Sequence, residues 1–184
     1  MYLLAPPSSV GAKLVEFALD ANNWFVAEIM SDDEESDLPD WILLQEPGRP
    51  LICSTSVDIE TAVHSLGISR LETTYSDGSH NVVDLDRAYA SILSGAFADS
   101  CQQVLEAWNL LEDILRNTKY RLHFDGQVAD RAYTKLYASM NIDPFHRDGP
   151  PYEPAWTKPE LRKMQQIFRA GTERIRLMIR DQAS

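Results

Sequence analysis

Apolar positions near the end of the chain recur with a helical period. Leu161, Met164, Ile167, Phe168, Gly171, Ile175 and Met178 fall on one stripe, and Arg162, Arg169, Arg176 and Arg180 fall on the opposite face. Thr157 offers a capping hydroxyl, Pro159 suits a first turn and Glu160 stands near the positive end of the dipole. A helix is therefore predicted from Thr157 to about Arg180. Tyr89, Ile92 and Leu93, then Cys101, Val104, Leu105, Trp108, Leu111 and Leu115, keep one helical face from Asp86 onward. Gly95 is placed to kink or divide that run. A further helix is expected over residues 125–140, burying Val128, Ala132, Leu136 and Tyr137, with Asp125 as its cap.

The first half patterns differently. Val10, Leu14, Phe17 and Ala18 stand at helical spacing behind Ser8, which predicts a short first helix. Residues 24–30 are aromatic and β-branched over a strand's length. Residues 41–45 and 51–55 flank Glu46-Pro47-Gly48-Arg49-Pro50, turn chemistry for a hairpin-like connection. Asp58 to Leu66 reads as a short helix. Residues 71–75 and 81–85 bracket Asp77-Gly78, a strong short-range hairpin signal. The expected fold is α+β: an N-terminal helix and a small, mainly antiparallel, hairpin-based sheet, followed by a helical C-terminal half. A chain of 184 residues allows one sizeable core. Residues 1–184 are expected to form a single domain, mixed and acidic over 1–85 and mainly helical over 86–184.

Residues 141–157 interrupt the helical half with four of the ten prolines and no period. A segment this long without regular structure is functional or a tail. Phe145, Tyr152 and Trp156 argue against a free tail, because exposed aromatics are costly unless covered. They are read as anchors of an extended arm on the helices; the alternative is a partner-binding arm.

Charge sharpens this division. Residues 1–115 hold 4 Lys/Arg against 20 Asp/Glu, whereas residues 116–184 hold 13 against 8, so the parts stand at −16 and +5 within a total of −11. Such a balance disfavours direct nucleic-acid binding and anionic membranes, and suits a basic protein or cationic ligand. Residues 31–40 concentrate Asp32, Asp33, Glu34, Glu35, Asp37 and Asp40 in a stretch without the ligand alternation, central Gly and distal Glu of a calcium loop. They are read as a solubilising loop or as a recognition patch. No apolar run spans a membrane, and the N-terminal residues have no basic region of a targeting peptide. Two cysteines, Cys53 and Cys101, both in apolar stretches, suit buried thiols in a reducing cytoplasm.

Catalytic signatures are sparse. There is no nucleophile elbow, phosphate loop or dinucleotide fingerprint, and His64, His80, His123 and His146 form no ligand pair on one helix. No cofactor is implied. The first expectation is a non-enzymatic acidic binding protein that docks or neutralises a basic partner, as a bacterial immunity protein or antitoxin does a toxin. Its candidate docking residues are Asp32, Asp33, Glu34, Glu35, Asp37, Asp40, Tyr152 and Trp156. The alternative is a metal-dependent or general acid/base hydrolase using His123, Asp125, His146 and Asp148. A third is a subunit that self-assembles into a homo-oligomer through its apolar helices.

Overall fold

The computed structural model describes residues 10–31, 41–73, 82–95, 100–116, 118, 122, 124–140 and 152–182. Its fold is α+β, with a sheet drawn from the first half and helices from the second. β1 (Val10–Leu19) and β2 (Asn22–Ser31) form a long antiparallel hairpin, paired from Val10 opposite Ser31 to Leu19 opposite Asn22. Asp20 and Ala21 turn it, at φ 54° and 58°, the left-handed conformation that type I′ turns demand and that matches strand twist.

β3 (Trp41–Ile42) extends the sheet antiparallel to β2. On the other side of β1 lie β6 (Leu71–Thr73) and β7 (Val83–Asp84), both parallel to it. β4 (Leu44–Glu46) and β5 (Arg49–Pro50) make a separate small hairpin, as the turn residues there imply. Of the strand expected over residues 51–55, the structure has a bridge between Cys53 and Phe25.

Two expectations are corrected here. Residues 10–19 are a strand, not a helix. Val15, Phe17 and Leu19 face one side of the sheet while Ala12 and Leu14 face the other, and both sides are covered. A strand buried on both faces reads as a continuous apolar run, and its two-residue alternation disappears. The hairpin across Asp77-Gly78 is also overturned: β6 and β7 run in the same direction along β1, whereas hairpin arms run in opposite directions. Residues 74–81 lie outside the described residues.

One face of the sheet is covered by α1 (Ser56–Ser65), whose Thr55 cap accepts from the Asp58 N–H at 3.3 Å. Ile59 and Val63 pack there with Ala12, Leu14, Ala27, Ile29, Leu43 and Ile68. The other face is covered by α2 (Leu85–Ser94) and α3 (Cys101–Arg116), against which α4 (Gln127–Ser139) and α5 (Lys158–Gln182) pack. Phe17, Leu19 and Val26 from the sheet join Trp108, Leu111, Leu136 and Phe168 from these helices in one core. Gly95 divides the helical run by ending α2 at φ 70°. Gly171 lets α5 approach α3, since a Cβ there would stand 3.0 Å from Leu111 Cδ2.

The far end of α5 is tied to the small hairpin. Arg49 donates to the Asp181 carbonyl, and Gln182 donates to the Pro50 carbonyl at 2.6 Å. Among the described residues no helix is long and apolar enough to cross a membrane.

Candidate functional site

Three segments converge on a cavity of about 440 Å³. α3 contributes Trp108, Glu112 and Arg116, spaced four residues apart and so stacked along one face. Opposite stand Asp130, Tyr133 and Thr134 of α4, and the connection between the helices adds Leu122, Phe124 and Asp125. Its volume lies within the roughly 300–1,000 Å³ usual for ligand pockets.

Aromatic rings form much of the wall. Trp108 meets Tyr133 edge-on at 5.9 Å between centroids and Phe124 at 6.2 Å. A further ring contact, with Phe168 at 6.4 Å, fixes the indole in the helical core. The Tyr133 hydroxyl donates to Asn109 Oδ1 at 3.1 Å. Burial pushes the Tyr133 phenol above its ordinary pKa, with Glu112 adding to the effect, so the group remains a neutral hydrogen-bonding phenol. The Thr134 hydroxyl is engaged with the Asp130 carbonyl at 2.8 Å.

The charged lining is mainly carboxylate. Glu112, Asp125 and Asp130 line the cavity, and Arg116 is the cation among the described lining residues. Its guanidinium is drawn to Asp113 at 3.2 Å and Glu112 at 3.7 Å. Asp125 does not cap α4: the N-cap is Gly126, at φ 104°, with no side-chain cap bond. That backbone, which favours glycine, displaces the cap by one residue and leaves Asp125 on the cavity wall. The buried side of α4 is also corrected. Ala129, Ala132 and Leu136 are buried, whereas Tyr137 is 54% exposed.

Of the residues singled out from sequence, Asp32, Asp33, Glu34, Glu35, Asp37 and Asp40 lie outside the described residues, as do His123, His146 and Asp148. Asp125 lies in the cavity. His64 is exposed on α1, its Nδ1 2.8 Å from the Glu60 carbonyl. Among the described residues no group of three or more His, Cys, Asp or Glu side chains is placed to hold a metal. Cys101 is buried, and burial, followed by the charge of Asp58, pushes the half-buried Cys53 thiol above its ordinary pKa.

The end of the proline-rich arm is bound to the helices. Tyr152 is exposed, whereas Trp156 packs against the helical core with the Lys135 ammonium 5.8 Å from its ring centre. Lys135 also donates to the Ala155 carbonyl at 2.7 Å and to Glu160 Oε2 at 2.9 Å. Glu160 is buried and completes a capping box with Thr157: the Thr157 N–H donates to its carboxylate at 2.9 Å, and its own N–H donates to Thr157 Oγ1 at 3.4 Å. Burial acts to raise the Glu160 pKa, but bonding to Lys135 and Thr157 outweighs it and holds the carboxyl below its ordinary value.

Arg176, on the arginine face of α5, is paired with the first half of the chain. Its Nε and Nη2 each donate to Asp20 at 2.7 Å, and Asp86 lies 3.7 Å away. The α5 helix is thereby clasped to the turn of the β1–β2 hairpin. The guanidinium holds the Asp20 carboxyl below its usual range.

No family model, curated protein or solved structure matches the chain.

Proposed function

We propose that the chain is a binding protein that docks a basic protein through the carboxylates of its first 115 residues. The observation that carries this reading is the division of charge, 4 Lys/Arg against 20 Asp/Glu over those residues. Cations of the second part do little to offset it. Lys135 is directed to Glu160 and Arg169 to Glu173, both within the second part. Arg176 crosses to Asp20 and Asp86, and Arg116 to Glu112 and Asp113, a small correction to an excess of this size. The remaining field accelerates encounter with a cationic surface and weakens with salt.

Asp32, Asp33, Glu34, Glu35, Asp37 and Asp40 carry the densest charge and are assigned to docking, with Tyr152 as an aromatic contact. The narrower form of the proposal, an immunity protein or antitoxin covering a basic toxin in the cytoplasm, is supported by charge and size. The test is capture from native lysate by the full chain and by a variant with those six acids changed to Asn or Gln. A basic protein held at low salt, released at high salt and missing from the variant supports docking. Equal recovery by both proteins, or no basic species with either, overturns it.

A further inference from the structure

The cavity between α3 and α4 has a chemistry of its own. Aromatic rings line it, and with Glu112 engaged by Arg116 the remaining carboxylates of the described lining are Asp125 and Asp130. Asp113 and Glu112 already attend Arg116, so that guanidinium adds little repulsion toward an entering cation. Trp108 also packs against Phe168 in the core, which holds this part of the wall in place before any ligand arrives. We propose that this cavity receives a guanidinium group, presented by an arginine side chain of the basic partner.

The proposal rests on the docking reading above and adds an anchoring point that borders the acidic part: Trp108 and Glu112 belong to the first 115 residues, Asp125 and Asp130 to the second part. A guanidinium is planar, weakly hydrated and rich in donors, so it can lie against an aromatic ring while its N–H groups meet carboxylates at the edge. Asp125 and Asp130, both exposed residues of the lining, supply the acceptors, and Phe124 and Tyr133 supply ring surface. An ammonium offers no plane to stack and keeps more of its hydration. The cavity is therefore assigned to arginine in preference to lysine.

The probe is N-acetyl-arginine methylamide, titrated into the full chain and followed by NMR at the amides of α3 and α4. The citrulline analogue, equal in shape but uncharged, and the lysine analogue are run beside it. The expected result is saturable shifts confined to the cavity for arginine, weaker ones for lysine and none for citrulline. Asp125→Asn with Asp130→Asn should weaken arginine binding about tenfold, and Tyr133→Leu should narrow the gap between arginine and lysine. Glu173→Gln, an exposed change elsewhere on α5, should alter nothing. Shifts scattered over other acidic residues, equal effects of citrulline, or indifference to the double substitution would overturn the assignment.

Lysate capture separates this proposal from the one on which it rests. If the double cavity variant retains the basic partner as the wild type does, the cavity is not the anchor and docking stands. If the wild type captures no basic protein, docking fails, and the anchoring role proposed for the cavity fails with it.

Discussion

α1 covers its face of the sheet with two buried side chains, Ile59 and Val63, while four helices close over the opposite face around Trp108 and Phe168. The first core draws its buried residues from the stretch Ala12 to Ile68. Its larger counterpart joins residues as distant as Phe17 and Met178, and the candidate cavity borders it. A binding wall gains rigidity from the core that is most expensive to open, so the cavity's position beside Trp108 is physically apt.

The contrast can be broken at several strengths. Phe168→Ala, which empties a fully buried position beside Trp108, should cost about 4 kcal/mol in urea unfolding. It should also loosen the cavity, seen as broadened Trp108 and Tyr133 signals. Ile59→Ala on the other face should cost about 3 kcal/mol and leave those signals in place. Hydrogen exchange sharpens the same difference: α1 amides should exchange through smaller openings than those of α3.

A subtler change is Lys135→Met, which leaves Glu160 buried without its ammonium. With Lys135 partly exposed, the expected loss is about 2 kcal/mol at neutral pH. The pH dependence follows from the lowered carboxyl pKa. The contribution of Glu160 is complete above the carboxyl's unfolded value and disappears as pH falls through the folded one. Wild type and Lys135→Met should therefore converge in stability in acid. Smallest is Arg176→Met, where the partners Arg176 and Asp20 are 35% and 54% exposed. Its cost should stay under about 1 kcal/mol and shrink with added salt.

Sequence patterns revealed the helical half most clearly. Thr157 and Glu160 marked the start of α5, and Gly95 marked a division that proved to be the end of α2. Such signals are local: each depends on side chains within a few residues of the backbone they cap. β1 is hidden in the sequence because burial on two faces erases alternation, and the pairing of β6 and β7 because their partner lies some sixty residues earlier. Local spacing points to Asp125 as a helix cap or a member of a histidine cluster. Its actual neighbours, Trp108, Glu112, Asp130 and Tyr133, come from two helices. Glu112 and Arg116, one and two turns beyond Trp108, mark a polar edge on an apolar helix; Tyr133 carries no comparable signal, because its partner Asn109 is 24 residues away.

The parallel pairing of β6 and β7 with β1 also bears on biosynthesis. β1 has its partner β2 for one edge once Ser31 has emerged from the ribosome, but its other edge waits for Leu71 and then Val83. At about 5–20 residues per second, translation leaves that edge open for roughly 2–8 seconds. During this interval the nascent hairpin offers unpaired backbone and two apolar faces to any neighbouring chain. Slower translation between these strands should lengthen the exposure and favour aggregation of a protein whose finished form is unchanged.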